Sequence, residues 1–143
     1  MPTEPITRNA LGLDLSARAV YSTTVVASPA AAAETIIASI TIPANIAAVT
    51  GVDLTGWAAY TVGTNGTAVR LRIRQTDVAG TVKGDTGALT GSQHGAAILS
   101  ADDCEGFDTA PVLPGQVYVL TMQVTAGSAP STVSAVKLRA FVV

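Results

Sequence analysis

The stretch that decides the fold is Trp57 to Thr76, WAAYTVGTNGTAVRLRIRQT, whose second half alternates between apolar and cationic side chains. Successive side chains of a strand point to opposite faces. One face therefore carries Val69, Leu71 and Ile73. The other face carries Arg70, Arg72 and Arg74. The apolar face is expected to lie in a core.

The first half of this stretch, WAAYTV, is expected to pair with the second as a β-hairpin. Gly63-Thr64-Asn65-Gly66 supplies residues that tolerate positive φ, as a tight turn between paired strands requires. Trp57, Ala59 and Thr61 share one side of the first strand, and Ala58, Tyr60 and Val62 share the other. The sequence leaves open which of these two sides is core.

Composition indicates one domain that is poor in charge. The 143 residues are 48% hydrophobic and 13% charged, against a usual charged fraction of about 25%. A surface covered largely by Thr, Ser, Gly and Ala offers little repulsion to a partner, which favours a protein packed into an assembly over a freely diffusing enzyme.

The charge balance argues against nucleic acid as a partner. The net charge is -2, whereas nucleic-acid binding depends on clustered cations that neutralise phosphates. The row Arg70, Arg72 and Arg74 is the exception, and we interpret it as a solvated or partner-paired face. Only six aromatic residues could stack on bases.

Features that would indicate secretion or a membrane are missing from the sequence. A single cysteine, Cys104, forms no internal disulfide, which fits assembly in a reducing host cytoplasm. MPTEPITRNALG lacks the basic opening and apolar run of a signal peptide. Apolar runs are interrupted well before the roughly 20 residues that a membrane-spanning helix needs.

Residues 1–19 are predicted to be an extended arm, and residues 20–143 a β-sandwich domain. Alternating leucines in the arm, Leu11, Leu13 and Leu15, could pair as a short strand on a neighbouring subunit. A free arm is the alternative, since chain ends are often poorly ordered unless tied down. The body then opens with a strand over residues 20–27, rich in β-branched side chains.

The stretch from Ser28 to Ala44, SPAAAAETIIASITIPA, fits two structures. Ser28 and Pro29 could begin a helix, because serine caps helices and proline suits the first helical position. The β-branched content from Thr35 to Ile42 favours a strand. We expect an alanine linker followed by a strand that Pro43 ends, and then a weaker strand over residues 46–54.

Residues 77–115 lose the regular pattern and predict a long glycine-rich, acidic loop. A connection of this length is either functional or contains short elements of its own, and Ala96–Ser100 is expected to be one such strand. Beyond it, QVYVLTMQVT at 116–125 and SAVKLRAFVV at 134–143 predict a closing hairpin, with Phe141 facing outward. The predicted fold is all-β: an antiparallel two-sheet, jelly-roll-like sandwich.

No residue pattern indicates catalysis, so we expect no enzymatic activity and no cofactor. His94, the only histidine, lies in GSQHGAA without a nucleophile motif such as G-x-S-x-G. Cys104 stands between Asp103 and Glu105, and neighbouring carboxylates raise a thiol pKa. The acidic group Asp102, Asp103, Glu105 and Asp108 lacks the D-x-D-x-D-G spacing of a calcium loop, so we predict no metal site.

The arm, the sandwich-sized body and the closing pair LPGQVYVLTMQV and SAVKLRAFVV together resemble capsid decoration (cement) proteins of tailed bacteriophages. The resemblance implies a homotrimer on the capsid surface that contacts the major capsid protein. The interface residues it suggests are Leu11, Leu13, Leu15, Arg70, Arg72, Arg74 and Phe141.

A second hypothesis is a receptor- or carbohydrate-binding β-sandwich of a phage fibre or tail. Its contact surface would be the 77–115 loop, in which Phe107 is the only aromatic residue. Glycan binding usually needs an exposed aromatic platform, so the sequence favours the structural virion protein.

Overall fold

The computed structural model describes residues 19–22, 33–43, 50–64, 67–89, 98–112, 115–124 and 131–143. Within these ranges all regular structure is β. The strands are β1 (Ala19–Ser22), β2 (Glu34–Thr41), β3 (Val52–Thr61), β4 (Val69–Gln75), β5 (Val82–Asp85), β6 (Leu99–Asp108), β7 (Val117–Val124) and β8 (Thr132–Val142). The all-β, antiparallel prediction is confirmed.

The eight strands form one sheet in the order β1-β8-β3-β6-β5-β4-β7-β2. Every neighbouring pair is antiparallel. The sheet is nearly closed, because its two edge strands, β1 and β2, lie beside each other and β2 also lies beside β8. We call the end where the odd-numbered strands begin the lower end, and the opposite end the upper end.

The predicted separation into two sheets is not confirmed. Four strands, β1-β8-β3-β6, and the other four, β5-β4-β7-β2, are joined through a single residue pair, Gly84 of β5 and Gly106 of β6. A Cβ atom on Gly84 would lie 2.3 Å from the Glu105 carbonyl oxygen, and one on Gly106 would lie 2.4 Å from that of Lys83. The absence of side chains therefore lets the two halves join into one sheet.

Both predicted hairpins are wrong. β3 pairs with β6 and β8, whereas β4 pairs with β5 and β7, so the two halves of the 57–76 stretch are not neighbours. β7 and β8 likewise lie in different halves of the sheet. The physical reason is that alternation and turn residues specify strands and a reversal of direction, but they do not specify which strand supplies the hydrogen bonds.

The core faces of the strands match the predicted alternation. Val69, Leu71 and Ile73 of β4 are fully buried. Also buried are the alternate residues of the last two strands: Tyr118, Leu120, Met122, Val124, Val136, Leu138, Ala140 and Val142. On β3 the structure resolves the open choice, since Ala58, Tyr60 and Val62 face the core and Trp57 faces outward, half-buried.

The strand interpretation of the 28–44 stretch is confirmed for its described part. β2 runs from Glu34 to Thr41, and its register shifts between Ile36 and Ala38. This irregularity buries both Ile37 and Ala38, after which Ile40 and Ile42 resume the alternation. A bulge has this effect because it places two residues opposite one.

Two boundaries differ from the predictions. The weak strand over 46–54 and the strand starting at Trp57 are one strand from Val52 onward, because Gly56 continues the ladder instead of bending it. The 77–115 segment contains β5 and the ten-residue β6, so much of it is regular sheet. The expected strand over 96–100 overlaps the start of β6 only at Leu99 and Ser100, and Ala96 and Ala97 lie outside the described residues.

The predicted arm lies almost wholly outside the described residues. Ala19, its last residue, already belongs to β1 and is the register partner of Phe141. The first body strand, predicted over 20–27, is described as far as Ser22.

Candidate binding surfaces

A shallow open depression of about 400 Å³ lies on the outer face of β8, β3 and β6. Its central strand contributes Trp57 and Thr55. In the register of the sheet, Trp57 stands between Asp103 and Lys137, and Thr55 stands between Glu105 and Arg139. These six residues line the whole depression.

The depression has one acidic wall, one basic wall and an aromatic floor. β6 supplies the two carboxylates of Asp103 and Glu105, and β8 supplies the cationic groups of Lys137 and Arg139. Arg139 Nη2 donates to Thr55 Oγ1 at 3.2 Å and to Asp53 Oδ2 at 3.4 Å. Its Nε is shielded from solvent and has no acceptor among the described residues.

The lower end of the molecule gathers exposed apolar side chains. In the described ranges, seven large apolar residues are exposed, and five of them lie there: Val78, Val82, Phe107, Val112 and Val143. A second open depression of about 400 Å³ at this end is lined by residues that include Val112, Val117 and Thr76. The other two exposed residues, Ile98 and Leu99, lie at the upper end.

A buried carboxylate lies beneath the lower end. Asp108 is fully buried and accepts hydrogen bonds from Tyr118 Oη at 2.7 Å, Gln75 Nε2 at 2.7 Å, Lys83 Nζ at 2.8 Å and the Ala110 amide at 3.0 Å. Burial alone would raise the pKa of Asp108, but these bonds outweigh it and hold the pKa below its usual value. The cluster stabilises the fold and has no open position for a ligand.

The arginine row of β4 is paired inside the chain. Arg70 pairs with Asp85 of β5, and Arg72 contacts both Asp85 and Glu34 of β2. Arg74 Nε donates to Glu34 Oε1 at 2.6 Å. The role of these arginines in an interface with a partner remains a prediction, but their charges already have partners within the sheet.

These ion pairs lower the pKa of both carboxyls. The hydrogen bond from Arg70 is the main cause that holds the pKa of Asp85 at about 2. For Glu34, burial raises the pKa. The hydrogen bonds from Arg74 and Thr121 and the charge of the nearby Arg72 together lower it by more, so the net shift of the pKa is downward. The arginine row of β4 therefore links β4 to β5 and β2 through ion pairs.

The other predicted interface residues do not gather at one place. Phe141 lies half-buried on the outer face of β8, opposite Asp53 of β3, whereas the arginine row lies on the other half of the sheet. Leu11, Leu13 and Leu15 lie outside the described residues, as does His94.

The acidic group predicted in a loop is carried by β6, whose alternation divides it. Asp103 and Glu105 point outward, whereas Asp108 is buried and Asp102 accepts a hydrogen bond from the buried Tyr60 hydroxyl. No group of potential metal ligands occurs among the described residues. Cys104 is buried, and burial is the main cause that raises its pKa to about 11.

The depression around Trp57 was missed by the sequence prediction. The signal was present: Leu54, Ala58, Tyr60 and Val62 alternate as a core face would, which places Trp57 outside. The carboxylates and cations beside it could not be found, because their positions depend on β6 and β8 flanking β3.

Within the described ranges, no helix has the length and apolar character needed to cross a membrane. No protein-family model matches the chain, and no curated protein matches it.

Among solved structures, the chain is similar to two structures from infectious bursal disease virus. One, of the Gx strain, has a TM-score of 0.44 at 12% identity over 86% of this chain and 30% of that chain. The other, the VP2 subviral particle, has a TM-score of 0.39 at 18% identity over 87% of this chain and 37% of that one. The chain thus spans about a third of the length of these structures.

Proposed function

We propose that the chain is a structural virion protein that decorates a phage capsid as a homotrimer and stabilises it by bridging major capsid protein subunits. The observation that carries this proposal is the apolar lower end, where Val78, Val82, Phe107, Val112 and Val143 are exposed together. Exposed apolar side chains gathered in one region are typical of protein interaction sites. In this proposal the lower end rests on the shell.

The construction of the lower end supports this use. The Asp108 cluster ties β4, β5, β6 and β7 together directly beneath the exposed residues. A docking surface held by rigid strands loses less conformational entropy on binding than a mobile one. The low charge of the chain, at 13%, also suits a surface that is covered in an assembly.

The experiment uses virions of the phage that encodes the chain, purified on a density gradient. The protein is expected to co-sediment with the particles. Multi-angle light scattering of the purified protein is expected to show a trimer. Particles that lack the protein are then incubated with purified wild type or with the variant Val78→Asp/Val112→Asp. A carboxylate at each site should weaken docking at least about tenfold, because it cannot be buried unpaired.

The matched control places the same charges at the upper end, in Ile98→Asp/Leu99→Asp. The exposed fractions are comparable: 42% and 72% for Val78 and Val112, and 47% and 63% for Ile98 and Leu99. The control should bind within about twofold of wild type, because it leaves the docking surface intact. Equal binding by both double variants, or gradient fractions free of the protein, would contradict the proposal.

A further inference from the structure

We propose that the depression around Trp57 is a saccharide-binding site that takes one neutral pyranose unit of a glycan. This proposal is independent of the virion role. It places binding on the outer face of β8, β3 and β6 and makes Trp57 the aromatic contact, whereas the alternative function relies on Phe107; from the 77–115 segment it uses only Asp103 and Glu105.

The aromatic floor supplies the first element of recognition. One face of a pyranose ring carries C–H groups and is apolar, so it packs against the electron-rich face of an aromatic ring. Trp57 lies half-buried on the outer face and lines the depression, although its strand neighbours Gly56 and Ala58 are buried. Because the Trp57 indole lies on the outer face, it adds little buried apolar area to the core, and its exposed part is available to a ligand.

The two walls supply the second element. A sugar carries hydroxyl groups around its rim, and each of them both donates and accepts hydrogen bonds. Carboxylates only accept, whereas ammonium and guanidinium groups only donate. Asp103 and Glu105 on one side, with Lys137 and Arg139 on the other, therefore present both kinds of partner to one ring.

The geometry fits a single ring above the central strand. Neighbouring strands are about 4.8 Å apart, so the walls on β6 and β8 stand roughly 10 Å from each other. Trp57 lies between them in register with Asp103 and Lys137.

The balance of charges selects among ligand classes. Two carboxylates oppose two cationic groups, so the depression has no net charge to attract a phosphate backbone or an anionic lipid surface. Four of the six residues that line the depression are charged, which is unfavourable for an apolar peptide. A neutral polyhydroxylated ligand matches the mixture of acceptors, donors and aromatic surface that lines the depression.

The chain contains one tryptophan, so its fluorescence reports on this site alone. Purified wild-type protein is titrated with neutral oligosaccharides, namely the hexamers of cellulose, amylose and chitin and a β-mannan hexamer, up to about 10 mM. One of them is expected to shift the emission with a saturable Kd of about 0.1–1 mM, because a shallow site binds weakly.

Two variants test the walls and the floor. Glu105→Gln removes one charged acceptor from an exposed position and should weaken binding about tenfold. Trp57→Ala should abolish binding, measured by saturation-transfer NMR because the fluorophore is gone. The matched control, Asp77→Asn, alters an exposed carboxylate in the turn between β4 and β5 and should leave the Kd unchanged.

Three results would overturn the proposal. The first is that no oligosaccharide in the panel changes the emission. The second is binding that persists in Trp57→Ala, since the ligand would then lie elsewhere. The third is an emission shift with protein concentration in sugar-free buffer, together with a change in oligomeric state, because a second copy of the chain would then occupy the depression.

Discussion

Gly56 of β3 lies directly against Leu120 of β7 across the interior of the nearly closed sheet. A Cβ atom at position 56 would stand 2.7 Å from Leu120 Cδ1 and 3.1 Å from Cδ2. The two strands belong to different halves of the sheet. The thickness of the core at this point is therefore set by a missing side chain on one strand and a leucine on the other.

Gly56→Ala is expected to destabilise the protein by about 1–3 kcal/mol, because the added methyl group overpacks a filled core. Urea unfolding followed by circular dichroism measures the change. The double variant Gly56→Ala/Leu120→Ala tests the cause. If the clash is responsible, the two costs are less than additive, with a coupling of about 1 kcal/mol. If the destabilisations of the two single variants add exactly in the double variant, the destabilisation by Gly56→Ala does not come from a clash with Leu120.

Asp108→Asn is expected to cost about 3–5 kcal/mol, because it leaves the largely buried Lys83 ammonium without its charged partner and places an amide among donors. Urea midpoints compare the variant with wild type. Asp77→Asn, at an exposed carboxylate, serves as the control and should change stability by less than about 0.5 kcal/mol. Similar small effects of both substitutions would show that the Asp108 cluster does not hold the lower end together.

The protein should lose stability in acid. The pKa values of Glu34, Asp85 and Asp108 are all lowered in the folded state, that of Asp85 to about 2. Unfolded carboxyls titrate near pH 4, so the stability that these groups contribute is complete above about pH 5 and is lost as the pH falls toward the folded-state values. Urea midpoints from neutral pH down to about pH 2.5 measure the loss.

Asp85→Asn identifies one of the groups responsible for this acid dependence. It removes a carboxyl whose pKa is lowered mainly by Arg70. The variant should be less stable than wild type at neutral pH, and the difference should shrink as the pH approaches 2. A difference that stays constant over this range would contradict the assigned cause.

Cys104 should be unreactive in the folded protein. Its thiol is buried, donates to the Leu71 carbonyl and has a pKa raised to about 11, so little thiolate exists at pH 8. Labelling with Ellman's reagent is expected to be at least about 100-fold slower in buffer than in guanidinium chloride. As the only cysteine in the chain, it gives an unambiguous signal, and rapid labelling in buffer would show that β6 opens readily.

The sequence predicted which residues face the core more accurately than which strands pair. The alternation at Val69, Leu71 and Ile73 is a local property of one strand, and all three are buried as predicted. The pairing of β3 with β6 and β8 joins residues about 50 and 80 positions apart. Short-range turn residues such as Gly63 carry no information about contacts over that distance.

The same limit applies to the candidate site. The outward position of Trp57 follows from the alternation of its own strand, but its neighbours Asp103 and Lys137 come from two distant segments. The sequence predicts a loop for the acidic residues of β6 because glycines such as Gly106 and the neighbouring charges are unfavourable in an ordinary strand. In the folded chain, that glycine is required for pairing with Gly84.

The Gly84–Gly106 pair makes the continuity of the sheet depend on two positions that carry no side chain. A side chain at either position would clash with a neighbouring carbonyl and break the residue pair that, among the described strands, joins the two halves. The two halves would then be held by their apolar surfaces and by the Asp108 cluster, which links β6 to β4, β5 and β7. For mutational drift or protein engineering, these two sites are positions at which the scaffold does not accept a side chain.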